Sequence, residues 1–323
     1  MSKVKFSLGL SPDVEKVNDY RVFIPKPYSS VVLISADFEL AWAWRYSKSN
    51  PDPLKLALEK AKMERVNIPK ILKLCEQFQI PITWATVGHL FQDSCSREMG
   101  RSHIDLPQLS AFENDYWRFD GTDWFELDPC TDFVSDPEWY CPDLIRLILA
   151  SPVKHEMACH TYSHIDCRDS VCSEEIMLSE LKKCKELAAM FSVELKSFVH
   201  PGHTIGNLNA LAACGFTNFR TDYRNVLGYP KRHANGLWEF QQTAEFNYRS
   251  DWSLSYHIKR YKALIDRSIQ TNTVCVLWFH PSFDESFVDC IWPELFRYMN
   301  QYRDKIWVTT HQNYISFVEN GIV

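Results

Sequence analysis

The sequence has few of the features that mark nucleotide-binding, serine-hydrolase and nucleic-acid-binding proteins. Glycine is scarce, at 10 of 323 residues, and neither a Gly-x-Gly-x-x-Gly run, a glycine-rich phosphate loop nor a Gly-x-Ser-x-Gly elbow occurs. Positive charge is not in excess, since 35 Lys and Arg face 41 Asp and Glu for a net charge of −6. Binding to phosphate backbones needs a basic face, so we expect no nucleic-acid partner.

Long apolar runs and paired cysteine motifs are also missing. The eleven cysteines are an odd number, are scattered, and include no Cys-x-x-Cys pair, which favours reduced thiols over a disulfide framework. The first residues, Met1 to Phe6, lack the apolar region of a signal peptide, and no window approaches a membrane span. We therefore expect a cytoplasmic protein with no membrane span.

What is present suits one large α/β domain. Hydrophobic residues make up 46% of the chain, and a barrel of this class often reaches 323 residues as one unit. Apolar runs alternate with helical patterns, which predicts parallel βαβ units. The expected strands are 31–36, 80–87, 157–159, 197–199, 216–219, 273–279 and 305–309. The expected helices are 54–79, broken or kinked by Pro69, then 142–149, 173–191, 207–214, 252–269 and 292–302.

Two segments do not follow this alternation. Residues 1–30 read as an irregular N-terminal arm packed on the domain. Residues 91–140 are rich in acids, aromatics and turn formers, and they follow a strand directly. Loops of this length are usually functional, so we interpret 91–140 as a lid-like insertion whose rings, such as Trp117 and Trp124, could stack on a sugar.

The most informative stretch is the His-x-x-x-His motif formed by His160 and His164. It follows a short apolar run, Met157 to Cys159, which predicts a buried strand that ends at the first histidine. If the next residues form one helical turn, the two imidazoles share a face and can bind one divalent ion. The pair is also compatible with two ordinary histidines at a strand end.

A second stretch places two carboxylates after a buried strand. Val31 to Ile34 is a continuous apolar run, and Asp37 and Glu39 follow it at alternate positions, so they would face the same way if the strand continues. Acids in this position cost desolvation unless they are paired or bind a metal. A turn or a helix cap would be the plainer explanation.

Other polar residues follow predicted strands in the same manner. His200 and His203 follow 197–199, and His280 follows 273–279. In α/β barrels the chemistry lies at the C-terminal ends of the strands, so these positions are candidates for one site.

Taken together, these stretches resemble the polysaccharide deacetylase family, the NodB-like carbohydrate esterases and their amidohydrolase relatives. His160-Thr161-Tyr162-Ser163-His164 matches the family's second motif in full. Ser35-Ala36-Asp37-Phe38-Glu39-Leu40-Ala41-Trp42 resembles a subgroup linked with surface-polysaccharide biosynthesis, as do Trp84-Ala85-Thr86-Val87-Gly88 and Leu277-Trp278-Phe279-His280-Pro281. The resemblance runs from about Val31 to His280 and implies a distorted (β/α)7 barrel.

The resemblance also implies roles. Asp37 is the expected catalytic base, and Glu39, His160 and His164 are the expected ligands of a divalent metal, with zinc as the first choice. The alternative gives the metal to Asp37 and places Glu39 behind it. His280 matches a late motif whose histidine acts as general acid.

The third motif departs from the family. It usually supplies an Arg that orients the base, but the run from Phe198 to His203 contains none. His200 or His203, or else Arg220 or Arg224 from the next strand, could replace it. We expect His200, His203, Trp42 and Arg220 to contact the substrate.

The resemblance implies a metal-dependent hydrolase that removes an N-acetyl group from an amino sugar in surface glycan biosynthesis. A cytoplasmic location would suit a nucleotide- or lipid-linked sugar. Two alternatives stay open: an amidohydrolase of a cyclic imide or ureide, as in allantoinase, and a non-catalytic glycan-binding protein on the same fold.

Overall fold

The computed structural model describes residues 12–222 and 224–321, which fold around one curled β-sheet flanked by helices. The strands of this sheet are β1 (Ser30–Phe38), β2 (Thr83–Thr86), β3 (Glu156–Cys159), β4 (Ser197–Val199), β5 (Asn218–Thr221), β6 (Lys231–Arg232), β7 (Trp238–Gln241), β8 (Ala244–Glu245), β9 (Val274–Phe279) and β10 (Ile306–Thr309). The α-helices are α1 (Pro53–Phe78), α2 (Pro142–Ala150), α3 (Glu174–Ala189), α4 (Leu208–Ala213), α5 (Leu254–Thr271), α6 (Trp292–Gln301) and α7 (His311–Gly321).

The sheet curls into a distorted barrel. Its spatial order is β6-β7-β5-β4-β3-β2-β1-β9-β8, β10 pairs with β1, and all pairs are parallel except β6 with β7. Strands β7 and β8 follow each other closely in the chain, but they lie near opposite ends of this spatial order. β7 pairs with β5, and β8 pairs with β9. The expected distorted barrel of the NodB type is therefore confirmed.

The strand register brings the C-terminal strand ends to one edge. Asp37 lies opposite Ala85, Thr86 lies opposite Cys159, and Arg220 lies opposite Val199. On the other side of β1, Phe279 lies opposite Ala36. Residues that directly follow β1, β3 and β9 consequently meet at the same end of the barrel.

Side-chain alternation explains why this end is polar. Along β1, residues 31, 33, 35 and 37 share one face. Val31 and Leu33 belong to a buried apolar cluster with Phe240 and Tyr314, the latter from α7, which fills one end of the barrel. Further along the same face the residues become Ser35 and Asp37, which are buried as well.

Several details differ from the sequence-based expectation. Pro69 lies inside α1 without dividing it, because the helix buries apolar residues on both sides of the proline, among them Ala61 and Ile71. Strands β6, β7 and β8 and helix α7 were not expected. Ser173 caps α3, since its side chain accepts a hydrogen bond from the Ile176 amide.

The insertion and the N-terminal arm both pack on the barrel. Residues 91–140 contain only short paired strands, Arg97–Glu98 with Arg101–Ser102 and Phe112–Glu113 with Arg118–Phe119. In the arm, residues 1–11 lie outside the described part, and Asp13–Val14 pairs with Val226–Leu227. None of the helices in the described ranges is long and apolar enough to cross a membrane. All eleven cysteines are free thiols.

Candidate active site

Two histidines that follow β3, His160 and His164, converge on one carboxylate oxygen of Glu39, which follows β1. His160 Nε2 lies 2.9 Å and His164 Nε2 lies 3.0 Å from Glu39 Oε1. All three side chains are buried, and their potential ligand atoms lie within 4.8 Å of one another. Two imidazoles and one carboxylate are the ligand set of many catalytic zinc sites, which keep a further position open for water or substrate.

The hydrogen bond on the far side of His160 fixes its tautomer. Its Nδ1–H donates to the carbonyl oxygen of Val199 over 2.8 Å, and a carbonyl can only accept. A neutral His160 therefore presents the lone pair of Nε2 to the Glu39 carboxylate, which has no proton to offer once ionised. A cation between the two atoms resolves this conflict, so the residues fit a divalent metal.

The charge states of this cluster also suit a metal. Burial lowers the pKa of His164 to about 4, so its ring is neutral at pH 7. Burial alone would raise the pKa of Glu39, but His280, His164 and His160 outweigh it and hold that pKa well below its ordinary value. Glu39 is thus an anion that can act as a metal ligand, and His164 is available as a neutral one.

The loop between the two histidines is not the helical turn that the spacing suggested. Thr161 and His164 have left-handed φ values of 58° and 59°. Glu180 of α3 stabilises this loop by accepting hydrogen bonds from the Tyr162 and Ser163 amides, at 2.8 and 2.9 Å, and from the Ser163 hydroxyl at 2.7 Å. A buried carboxylate in the middle of the apolar side of α3 was the sequence signal that could have revealed this role.

Asp37 is held by an arginine from β5. Arg220 Nη2 donates to Asp37 Oδ2 over 2.6 Å, and Nη1 donates to Ser35 Oγ over 2.7 Å. The guanidinium also lies over the ring of Trp278, 4.6 Å from its centroid. Burial would raise the pKa of Asp37, but Arg220 and the neighbouring His160 more than compensate and lower it. The other oxygen, Oδ1, has no hydrogen-bond partner among the described residues.

Glu64 supports the turn that carries Glu39. Its Oε2 accepts from the amides of Leu40, at 2.9 Å, and Glu39, at 3.3 Å. Burial, together with the Glu39 charge nearby, raises the pKa of Glu64 well above its ordinary value. This residue was not expected from the sequence, and its only signal was an acid on the buried side of α1.

His280, which directly follows β9, faces the carboxylates of Glu39 and Glu245. Its Nε2 lies 3.6 Å from Glu39 Oε2, and its Nδ1 lies 3.8 Å from Glu245 Oε1. The rings of Trp44 and Trp278 flank it, with centroids 5.6 and 5.2 Å away. His280 is partly exposed, and it can therefore approach a bound molecule.

A cavity of about 660 Å³ opens over these groups. Asp37, Glu39, His164 and His280 line its floor. The other lining residues are Ala43, Trp44, Ser47, Lys48, Ser49, Asp115, Tyr116, Trp117, Gly202, His203, Asp222, Asn225, Gln242, Ala244, Glu245, Asn247, Arg260 and Trp278. Residues 115–117 come from the insertion, so this segment reaches the end of the barrel where the site lies.

The expected substrate-contacting residues are only partly brought together. His203 lines the cavity, with its Nδ1 3.5 Å from Asp222 Oδ2, and Arg220 lies directly behind Asp37. Trp42 lies outside the cavity, because its indole packs against Trp139 and is fully buried.

His200 is outside the cavity too. Its Nε2 donates to the Gly206 carbonyl at 3.0 Å and its ring packs on Phe198 and Phe219. Direct contact of His200 or Trp42 with a substrate is therefore not supported by their positions. Trp124 of the insertion is buried as well, and its indole donates to Ser163 Oγ at 3.0 Å.

Comparison with known proteins shows the fold. No family model and no curated protein matches the sequence. Among solved structures, the chain is similar to a putative polysaccharide deacetylase from Mycobacterium smegmatis, with a TM-score of 0.63 and 15% identity over 97% of this chain and 96% of that chain. A probable polysaccharide deacetylase from Pseudomonas aeruginosa PAO1 has a TM-score of 0.61 and 13% identity over 93% and 94%. PuuE allantoinase has the same TM-score and identity over 95% of each chain. The protein thus has the fold of polysaccharide deacetylases and of an allantoinase.

Proposed function

We propose that this protein is a metal-dependent hydrolase that removes an N-acetyl group from an amino sugar. The observation that carries the proposal is the arrangement of Glu39, His160 and His164 beside Asp37, at the floor of an open cavity. The fold shared with polysaccharide deacetylases supports it.

Glu39, His160 and His164 would hold the metal ion, with zinc as the first choice for a site of nitrogen and oxygen ligands. When bound there, zinc would polarise the acetamide carbonyl, lower the pKa of a water molecule and stabilise the oxyanion. Glu39 rather than Asp37 is the acidic ligand, because only Glu39 reaches both histidines.

Asp37 is the general base in this proposal. Its Oδ2 is held by Arg220 and its free Oδ1 can take a proton from the attacking water. The water oxygen then bonds to the acetyl carbon, the C–N bond breaks, and His280 donates a proton to the departing amine. The products are acetate and a free amino sugar.

The cavity is suited to a sugar ring. Trp44, Trp117 and Tyr116 offer aromatic faces, and the carboxylates and amides on the lining offer hydrogen-bond acceptors and donors for hydroxyl groups. We propose a role in surface glycan biosynthesis, with a cytoplasmic nucleotide- or lipid-linked sugar as the substrate.

Hydrolysis of a cyclic ureide is the second candidate, because PuuE allantoinase shares the fold over 95% of this chain. Its chemistry would use the same metal ligands and the same base. A non-catalytic glycan-binding role is the third, and it predicts ligand binding without turnover.

One experiment separates these candidates. The full chain is purified, its zinc content is measured, and acetate release is followed on a panel of free, nucleotide-linked and lipid-linked N-acetyl sugars beside allantoin hydrolysis. We expect the wild-type protein to release acetate. His160→Ala and His164→Ala should each abolish acetate release and each lose one bound zinc ion. His233→Ala, a partly exposed histidine paired with Glu239, is the matched control and should retain both. Allantoin turnover without acetate release would replace the proposal by the second candidate, and sugar binding without turnover would replace it by the third.

A further inference from the structure

A second cluster of metal-binding side chains lies within and below the insertion. His89, Cys95, His103 and Asp128 each offer one ligand atom, and these atoms lie within 4.8 Å of one another. The cluster shares no residue with the Glu39 site. His89 belongs to the short 3-10 helix that follows β2, Gly88–Phe91, and the other three belong to residues 91–140.

The cluster is centred on one oxygen of Asp128. His103 Nε2 lies 2.7 Å, His89 Nε2 lies 3.1 Å and Cys95 Sγ lies 3.4 Å from Asp128 Oδ2. A tetrahedral zinc ion at its usual bond lengths separates its ligand atoms by roughly 3.3–3.6 Å. The distances from His89 and Cys95 are close to this range, whereas His103 lies nearer to Asp128, at hydrogen-bond distance.

If hydrogen bonds alone held this cluster together, the Nε2 atom of His89 would have no hydrogen-bond partner in it. Its Nδ1–H donates to the carbonyl oxygen of Trp139 over 3.2 Å, so Nε2 of the neutral ring carries a lone pair. That lone pair points at the Asp128 carboxylate, and within the part of the chain that the structure describes Nε2 has no hydrogen-bond partner, although the side chain is fully buried. A lone pair aimed at a carboxylate inside the protein indicates a cation between them.

The outer atoms of the ligands are held in place, as they are around structural metal ions. Asp128 Oδ1 accepts from the Cys130 amide at 2.9 Å and from the Tyr140 hydroxyl at 3.2 Å. His103 Nδ1 is 3.0 Å from the Tyr162 hydroxyl oxygen, to which it can donate. Oδ2 and the two Nε2 atoms are left to face one another.

The chemistry of the ligand set selects the metal and its role. Thiolate and imidazole ligands favour zinc over calcium or magnesium, which prefer oxygen. One thiolate and one carboxylate also balance the two charges of the ion, so the buried site becomes neutral. Four protein ligands with little solvent access describe a closed, structural site, whereas the Glu39 site has three ligands and an open cavity.

We propose that His89, Cys95, His103 and Asp128 bind a second, structural zinc ion that anchors the insertion to the end of β2. The ion would fix the segment that contributes Asp115, Tyr116 and Trp117 to the cavity wall. This site does not depend on the proposed deacetylase activity, because none of its ligands lines the cavity.

Zinc content and cobalt spectroscopy of the full chain test the proposal. Purified under reducing conditions, the wild-type protein should hold close to two zinc ions and the His160→Ala variant close to one. The double variant with both His160→Ala and Cys95→Ser should hold close to none. After replacement by cobalt(II), a near-ultraviolet thiolate-to-cobalt charge-transfer band should appear in the wild type. It should persist in His160→Ala, because the Glu39 site has no cysteine, and disappear in Cys95→Ser.

Cys130→Ser is the matched control, since this thiol lies in the same insertion beside Cys95, donates to Ser102 Oγ and is not one of the four proposed ligands. It should keep the band and both ions. The proposal is overturned if His160→Ala holds no zinc, if wild-type protein with cobalt shows no thiolate band, or if the band is lost in Cys130→Ser but kept in Cys95→Ser. The first two readings need no substitution within the cluster, so they decide the question even if Cys95→Ser does not fold.

Discussion

Arg220 and Asp37 form a buried ion pair, with Arg220 Nη2 2.6 Å from Asp37 Oδ2, although they are 183 positions apart in the chain. The resemblance to the polysaccharide deacetylase family implied an arginine in the third motif as the partner of the base, whereas the run from Phe198 to His203 contains none. Arg220 on β5 reaches the same carboxylate from the neighbouring strand. This pairing sets both the orientation of Asp37 and its charge.

Arg220→Gln should therefore change the pH dependence of catalysis. Without the guanidinium the pKa of Asp37 rises, so the base becomes protonated at a higher pH and the acid limb of kcat/KM shifts upward. Turnover at neutral pH should fall by about 10–100-fold, the usual loss when a partner of an active-site group is removed. Arg220→Lys should restore the charge but not the second hydrogen bond to Ser35, and should recover part of the rate.

Arg224→Gln is the control for this series, because Arg224 is half-exposed and pairs with Asp13 at the surface. Its pH–rate profile should match that of the wild type. An unchanged acid limb in Arg220→Gln would contradict the role given to Arg220.

Asp37→Asn should retain the zinc content of the Glu39 site and lose turnover by about 10²-fold or more, the usual contribution of general acid–base catalysis. The introduced amide cannot accept a proton from water, but the ion needs no ligand from this position because Glu39 reaches both histidines. Zinc analysis and acetate release measure the two effects on the same sample. Loss of the ion in Asp37→Asn would instead favour Asp37 as the acidic ligand.

His280→Ala should slow the hydrolysis of N-acetyl sugars by a similar factor of about 10²-fold. The expected reason is that the departing amine no longer receives a proton. An aryl acetate, whose leaving group needs no proton, should be affected much less in His280→Ala than in Asp37→Asn. Equal losses on both substrates would assign His280 to binding or structure.

Tyr116→Ala should raise KM for the sugar several-fold and leave kcat nearly unchanged. Tyr116 lines the cavity from the insertion, is 51% exposed and lies near His203, which is not a proposed metal ligand, so it can bind substrate without taking part in the reaction. Val134→Ala is the control within the same insertion, since Val134 is 76% exposed and outside the cavity. A loss of kcat without a change of KM in Tyr116→Ala would argue against a binding role.

His155 should make the fold sensitive to acid. Its Nδ1 accepts a hydrogen bond from the Ile82 amide at 3.0 Å, and burial lowers its pKa from 6.5 to about 4. Between these values the unfolded chain binds a proton that the folded protein excludes, so stability present above pH 6.5 is lost as the pH falls toward 4.

His155→Gln keeps an acceptor for Ile82 and removes this titration. The free energy of unfolding, measured by urea denaturation, should decrease between pH 7.5 and pH 5 in both proteins. This decrease should be about 1–2 kcal/mol smaller in the variant than in the wild type. An identical pH dependence in both proteins would show that His155 is accessible to protons in the folded state.

The positions of Asp37, Glu39, His160, His164 and His280 at strand ends could be predicted from the sequence. Each follows a short apolar run, and a buried strand is a local pattern that the chain carries within a few residues. The parallel alternation of strands and helices then places all such ends at one edge of the barrel. Residues 91–140 also stood out in the sequence, because their composition breaks that alternation.

The tertiary structure decided the rest, because it depends on which strands are neighbours and on how each side chain is turned. The register of β5 against β4 aims Arg220 at Asp37, which no local pattern records. Packing also removes Trp42 and His200 from the cavity, although both lie within or next to site motifs. The cluster of His89, Cys95, His103 and Asp128 is assembled only by the path of the insertion, since its members are dispersed along the chain without regular spacing. Local hydrophobic pattern thus determined the strand ends, and long-range packing determined the partners that meet there.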